Sequence, residues 1–157
     1  MRAPFLKYAL AGAVALSLGA GGAVVAQAAL TQNPAEVRAG AYELDSGHGK
    51  ITWSVSHLGF STYYGQITDV TAQAVLDPKE PAKSTLTVTI GTDSVNGLDD
   101  RLNQHLKAPD FFDTAKFPKA TFTATSIEPT SPATARVNGD LTLKGVTRPV
   151  AFDATFN

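Results

Sequence analysis

The stretch KITWSVSH, residues 50–57, carries the pattern that decides the fold. Ile51, Trp53, Val55 and His57 alternate with small polar residues. Because successive side chains of a strand point to opposite faces, this alternation predicts a strand with one apolar and one polar face. Strands of this kind form antiparallel sheets that pack one face on a core and leave the other in water.

The same two-residue period recurs along the chain after residue 42. It runs through KSTLTVTI (83–90), ATFTATSI (120–127), ARVNGDLTLKG (135–145) and PVAFDATF (149–156). GQITDVTAQAVLDP (65–78) predicts one longer strand that ends at the Asp-Pro turn. About seven strands joined by short segments rich in Gly, Pro, Asn and Asp predict an all-β fold, either a sandwich or an antiparallel barrel.

One segment, SVNGLDDRLNQHLKAPDFF (94–112), breaks the alternation. Leucines recur at every fourth residue from Leu98 to Leu106, with acidic residues in the first turn and Lys107 in the last. That charge order suits the helix dipole, and Pro109 would end the helix. We expect about two helical turns between strands.

The helix is followed at once by two adjacent phenylalanines, Phe111 and Phe112. Neighbouring residues of a strand point to opposite faces, so one buried face does not easily take both rings. We expect one ring to pack on the helix and the other to enter the interior of a barrel. A small antiparallel barrel has room for side chains or for one apolar ligand.

The N-terminus predicts export. Residues 1–28 combine Arg2 and Lys7, an uncharged apolar run, and an Ala26-Gln27-Ala28 cleavage pattern, which together are typical of a secretory signal peptide. Residues 29–40 resemble a flexible lead-in, and residues 41–157 form the domain. The expected location is the periplasm. The domain has no Cys for thiolate chemistry, and loss of two of the 13 basic residues leaves 11 against 14 acidic ones, so nucleic acid is not an expected partner.

Catalysis and metal binding have little support in the sequence. The three histidines, His48, His57 and His105, lack the spacing of a zinc site, and no nucleophile motif is present. The paired acidic residues suit helix and turn termini. We therefore expect no enzyme, no catalytic residues and no metal. His57 is open to two interpretations: a hydrogen-bonded core histidine, or the polar end of a site for an apolar ligand.

Three segments carry a resemblance to a known family. They are YELDSGHGKITWSVSHLGFSTYYGQI (42–67), HLKAPDFFDTAKFPKATF (105–122) and VNGDLTLKGVTRPVAF (137–152). The chain resembles the YceI-like proteins, exported lipocalin-like barrels associated with polyisoprenoid binding. The resemblance implies an antiparallel lipocalin-like β-barrel around an apolar cavity, with the helix at its side or mouth. It also implies a carrier of a polyprenyl chain or an isoprenoid quinone that requires no cofactor.

The lipid-binding residues expected from this resemblance are the inward side chains of the first long strand, the aromatic residues near the entrance and the apolar face of the later strands. They are Trp53, Val55, His57, Phe60, Leu106, Phe111, Phe112, Phe122, Leu141 and Phe152.

Two departures from the family pattern affect these expectations. Leu102 and Asn103 stand where the family often has an Arg-Asp or similar acidic lead into the His-Leu pair of the helix, and the chain stops at Asn157 where the family usually continues. About seven strands would leave the barrel incomplete at its C-terminus. We therefore expect low stability or oligomerisation, such as a homodimer. Transient contact with a membrane or a membrane protein is a separate expectation for a lipid carrier. The alternative function is that of an envelope stress or interaction protein with a packed barrel and no ligand.

Overall fold

The computed structural model describes residues 31–157; the predicted signal peptide, residues 1–28, lies outside the described residues. Residues 31–157 form nine strands and one α-helix. The strands are β1 (Gly40–Glu43), β2 (Ile51–His57), β3 (Ser61–Ile67), β4 (Val70–Leu76), β5 (Thr85–Gly91), β6 (Val95–Asn96), β7 (Lys119–Ser131), β8 (Thr134–Leu143) and β9 (Val146–Thr155), and the helix is α1 (Asp100–Lys107).

The strands form two antiparallel sheets. The large sheet has the order β1-β4-β5-β7-β8-β9, and the small sheet has the order β2-β3-β6. The predicted all-β antiparallel fold with one short helix is therefore confirmed. Within residues 31–157 the two sheets do not close into one continuous barrel.

The large sheet has the two faces that the alternation predicted. On its inner face Val88 lies opposite Phe122, and Phe122 lies opposite Leu141. On its outer face Thr89, Thr121 and Thr142 form a polar row. The buried apolar core within the described residues is small, and it comprises Val70, Val95, Ala120, Phe122 and Val137. Much of the inner face is therefore only partly covered.

Strand β7 is the longest strand and is bent by irregular pairing. Its register against β8 shifts between Ala124 and Ser126, and again between Pro129 and Ser131. An extra residue in one strand increases the local twist and bends that strand. These shifts lie in the half of β7 that reaches Pro129 and curve this end of the sheet.

The long strand predicted over residues 65–78 is wrong, because the chain breaks there into β3 and β4. The Ser94 hydroxyl accepts hydrogen bonds from the backbone N–H groups of Thr68 (3.1 Å) and Asp69 (2.8 Å). These bonds hold the backbone between the strands, and β3 and β4 enter different sheets. A serine 25 residues away in sequence therefore fixes the break.

Helix α1 has the predicted length of about two turns, but it begins at Asp100, two residues after the start of the leucine repeat at Leu98. The Asp99 carboxylate caps it by accepting from the Leu102 N–H at 2.8 Å. Leu98 precedes the helix with a positive φ of 64° and is exposed, so its predicted place on the helical face is wrong. The Asn103 side chain accepts from the Gly97 N–H at 2.7 Å and so joins the helix to the end of β6.

Strands β2 and β3 form a two-stranded ribbon over most of their length, because β6 pairs only with Gln66 and Ile67. Trp53 lies opposite Gly65, and the indole ring covers the space where a Gly65 side chain would be. The predicted inward position of Val55 and His57 is wrong. Both are exposed, since this part of the ribbon has no further strand beside it in the described part of the chain.

Strand β9 is an edge strand of the large sheet in the described structure, and Pro149 lies on its outer side. Lys144 and Gly145 form the turn before β9, with positive φ values of 51° and 75°. Counting pairs from this two-residue turn, Pro149 is opposite Asp140 in a pair that exchanges no backbone hydrogen bonds. One of the alternate positions at which β9 would offer an outward N–H is thus occupied by a residue that has none.

Candidate functional site

A cavity of about 520 Å³ lies at the end of the large sheet where β4 meets β5 and β7 meets β8. It is open to solvent on one side and lies within the usual size of small-molecule sites, about 300–1,000 Å³. Most of its lining side chains are apolar. They include Val37, Ala74, Leu76, Leu86, Ile127, Pro129, Ala135, Val137, Ala154 and Phe156.

The polar groups at the rim of the cavity are engaged in turns. The Asp77 carboxylate accepts from the N–H groups of Lys79 and Glu80, and the Ser84 hydroxyl accepts from the Asp77 N–H at 3.0 Å. Ser131 accepts from the Thr134 hydroxyl at 2.7 Å. These groups stabilise the connections between strands, and they do not form a nucleophile–base pair. The cavity therefore offers apolar contact with a few hydroxyl groups at its edge.

The segment expected to be a flexible lead-in forms part of the cavity wall. Residues 34–36 make a single 3-10 turn capped by the Asn33 side chain, and Pro34, Ala35 and Val37 line the cavity. The Glu36 carboxylate accepts hydrogen bonds from the Thr31 hydroxyl at 2.7 Å and from the Asn33 amide. The bond from Thr31, and to a lesser extent the bond from Asn33, holds the pKa of Glu36 below its usual value.

The predicted lipid-binding residues fall into three separate groups, and none of them lines the cavity. Phe122, Leu141 and Phe152 belong to the inner face of the large sheet, where the rings of Phe122 and Phe152 lie 5.3 Å apart. This group adjoins the cavity, because Phe152 is opposite Val137 and Val137 lines the wall. The three residues extend the apolar surface inward from the cavity.

The second group, Leu106, Phe111 and Phe112, lies at the C-terminal end of α1 and does not line the cavity. The N–H of Phe112 donates to the Leu106 carbonyl at 3.0 Å, and two further N–H groups donate to the carbonyls that follow, Thr114 to Lys107 and Asp113 to Ala108. The Phe111 ring packs edge-on against His105, 4.5 Å between centroids, and remains 45% exposed. The paired rings therefore do not wall the cavity seen here. Their segment satisfies carbonyl groups that every helix end leaves without partners.

The third group lies on the β2–β3 ribbon. Trp53 is half-buried over Gly65, whereas Val55, His57 and Phe60 are exposed. The His57 ring contacts Tyr63 edge-on at 5.4 Å between centroids. The ribbon group does not line the cavity. The exposed position of His57 contradicts its interpretation as a core histidine, and its interpretation as the polar end of a ligand site stays a prediction.

Sequence reasoning missed the residues that do form the cavity, because many of them are small or lie in turns. Ala74, Ala135 and Ala154 carry little hydrophobic area, and prolines such as Pro34 and Pro129 suggest only loops or strand ends. The inward period of β4, β8 and β9 does place all three alanines on the apolar face. The two-residue period does not predict at which end of the sheet this apolar face stays uncovered.

Residues 31–157 offer neither a metal site nor a membrane-spanning helix. No group of three His, Asp or Glu side chains in this range is arranged to hold a metal ion. Helix α1, the α-helix described in this range, is far too short to cross a bilayer.

Comparison with known proteins finds a matching family model and similar bacterial proteins. The family model of the YceI-like domain matches residues 42–157. UPF0312 proteins of Pseudomonas putida (strain W619) and Shewanella oneidensis are each 37% identical to this chain, over 78% and 77% of its length. The chain spans about 65% of the length of these curated relatives.

Solved structures include similar folds. BcnA of Burkholderia cenocepacia has a TM-score of 0.66 at 29% identity, covering 71% of this chain and 69% of BcnA. The YceI protein of Campylobacter jejuni has a TM-score of 0.57 at 32% identity, covering 73% of this chain and 67% of that protein. The lipocalin-like antiparallel architecture is thus shared with proteins of known structure.

Proposed function

The chain belongs to the YceI-like family, and we propose that it binds a long-chain isoprenoid lipid in the cavity at the end of the large sheet. The family is known for a polyisoprenoid-binding fold and is not a known enzyme family. The observation that carries the proposal is the cavity itself: about 520 Å³, open on one side, with a mainly apolar lining. Such a site makes mainly apolar contacts with its ligand and leaves part of the ligand in water.

The size of the cavity suggests how much of a lipid it can hold. An apolar cavity of about 150 Å³ takes one benzene ring, so about 520 Å³ has room for roughly twenty carbon atoms. Burial at about 0.8 kcal/mol per CH₂ gives a gross gain of about 16 kcal/mol. Ordering the chain and removing it from a bilayer oppose this gain. The remainder is compatible with micromolar binding, which corresponds to about 8 kcal/mol.

The inner face gives a longer ligand a second region of contact. Val137 connects the cavity with Phe152 and Phe122. We infer that a polyprenyl chain longer than the cavity continues along this face, where Phe152 is partly exposed. The hydroxyl groups of Ser84 and Ser131 at the rim would face the head group, whether an alcohol, a phosphate or a quinone.

Export to the periplasm is part of the proposal. The N-terminal sequence predicts cleavage after Ala28. Sequencing the N-terminus of protein recovered from the periplasm of a bacterial host should give Ala29 as the first residue. Recovery of only uncleaved chain with the membrane fraction would contradict this expectation.

The first experiment is to purify the exported protein without detergent, extract it with organic solvent and identify the extract by mass spectrometry. An isoprenoid present in a stoichiometric amount would support the proposal. If that lipid has a quinone head group, the protein would be a carrier of a redox-active quinone. Folded protein that yields no lipid, and that also fails to bind geranylgeraniol, would instead favour the alternative of an interaction protein without a ligand.

A matched pair of variants tests the location. Ala135→Phe places a ring in the cavity wall, and we expect it to weaken geranylgeraniol binding at least tenfold. Ala151→Phe adds the same ring to β9 at an exposed position opposite Asn138, on the outer face. It should bind as the parent does. Equal affinities for the two variants would place the ligand elsewhere.

A further inference from the structure

The β2–β3 ribbon ends in an exposed apolar tip, defined here as Leu58, Phe60, Tyr63 and Tyr64. Leu58 is 79% exposed and Phe60 is 91% exposed. The turn itself is ordered by a hydrogen bond from the Phe60 N–H to the His57 carbonyl at 3.0 Å. Leu58 also has a positive φ of 55°, a conformation that a bulky residue rarely adopts. The turn therefore holds two large apolar side chains out into solvent.

The tip lies in a segment without formal charge. Residues 51–68 contain no Asp, Glu, Lys or Arg. Tyr63 and Tyr64 are neighbours in β3, two and three residues after its first residue Ser61, and so point to opposite faces of the ribbon. Both sides of the ribbon thus carry an aromatic ring with a polar hydroxyl at a similar distance from the end. Tyrosines are enriched at this position where proteins meet the boundary between lipid tails and water.

The size and shape of the tip favour a bilayer over a folded protein. The two side chains at the very end present roughly 300 Å² of apolar surface, against about 800 Å² per partner in a stable protein interface. The tip is convex, so a protein partner would need a matching groove, whereas a bilayer adapts to the inserted side chains. We propose that the tip inserts into the interfacial layer of a lipid membrane, with Phe60 and Leu58 deepest and the two tyrosines at the head groups.

This placement does not depend on the cavity or on its ligand. Because the tip is uncharged, its binding to phosphatidylcholine vesicles should change little with salt concentration, unlike adsorption through basic residues. Loss of the Phe60 ring in Phe60→Ser should weaken the vesicle partition coefficient about tenfold or more. Val146→Ser is the matched control, since Val146 is an apolar residue 55% exposed at the β8–β9 turn, and it should leave the coefficient unchanged.

A second measurement reports on the tip alone. Trp53 is the single native tryptophan, and Phe60→Trp adds another at the tip. We expect phosphatidylcholine brominated on its acyl chains to quench Phe60→Trp strongly, and Val146→Trp no more than the parent. Equal quenching of the two variants, or an unchanged partition of Phe60→Ser, would overturn the proposal. Concentration-dependent dimers that Phe60→Ser abolishes in the absence of lipid would also overturn it and assign the tip to a second copy.

Discussion

Gly65→Ala tests whether the stacking of Trp53 on a glycine holds the small sheet together. A Cβ at Gly65 would lie closer than 3.0 Å to the Trp53 ring and to the Asn96 carbonyl oxygen, a separation that real Cβ atoms almost never show. The ring could turn away, but the carbonyl belongs to the backbone of β6 and is fixed by its pairing with Gln66. Either the indole or the β3–β6 pairing must therefore shift.

The expected effect is a net loss of stability. Replacing glycine by alanine in a strand is ordinarily worth about 0.5–1 kcal/mol, because glycine loses more backbone freedom on folding. Overpacking costs about 1–3 kcal/mol, and a fixed backbone oxygen puts this site toward the upper end. The difference is a loss of about 1–2 kcal/mol. With a urea slope of about 2 kcal/mol per molar, the middle of the usual range, the midpoint should fall by roughly 0.5–1 M.

The fluorescence of Trp53 can report both on the unfolding of the domain and on the packing of this one ring. It is the single tryptophan, so its emission reports the environment of this ring during urea unfolding. In Gly65→Ala we expect a lower midpoint and a folded-state emission shifted to the red, because the displaced indole meets water. Gly47→Ala is the control, since its nearest atom is the Asp45 carboxylate oxygen at 3.1 Å. An unchanged midpoint with unchanged emission in Gly65→Ala would refute the packing argument.

Three further substitutions test other parts of the structure. Pro149→Val restores an outward N–H to the edge strand β9, so sedimentation should show more self-association than in the parent; equal behaviour would mean that the proline does not protect this edge. Gly139→Ala places a Cβ against the Phe122 ring and a neighbouring backbone oxygen, and should lower stability by about 1–3 kcal/mol in urea unfolding. Adding Phe122→Leu should recover only part of that loss. His48→Ala removes the hydrogen bond that chiefly lowers the pKa of Asp45, so an NMR titration should show that pKa rising toward its usual value. A lowered pKa favours the ionised Asp45 carboxylate in the folded protein, so the contribution of this hydrogen bond to stability is present at neutral pH and lost as the pH falls through the pKa. Because the side chains of His48 and Asp45 are both exposed, the overall stability of His48→Ala near pH 7 should not change.

The elements that could be predicted from sequence are those with a local cause. Alternation located β2, β5, β7, β8 and β9, since each places apolar side chains on one face by itself. The helix was predicted by its charges and leucines, although the cap at Asp99 moved its start. These features need only the residues within them. The family resemblance, carried by three segments, predicted the antiparallel lipocalin-like fold.

The features that could not be predicted depend on residues that lie far away in the sequence. The break between β3 and β4 depends on the hydroxyl of Ser94, and the exposure of Val55 and His57 depends on which strands lie beside the ribbon. The cavity is built from turns and small residues that meet from five parts of the chain. A period in the sequence gives the face of a strand, but it does not give the neighbour that covers that face.

The order of strands in the large sheet has a consequence for how the molecule folds and opens. Strands β7, β8 and β9 follow one another in sequence and in space, joined by turns of two residues, Pro132-Ala133 and Lys144-Gly145. Pairing of β3 with β6, in contrast, joins Ile67 to Val95 across a long segment of chain that contains β4 and β5. Short loops lose less entropy on closing, so the three-strand unit should form first and open last. Amide hydrogen exchange should then be slowest in β8, which has a partner on each side, and fastest at the end of the ribbon. One wall of the cavity would persist through the local openings that release the small sheet.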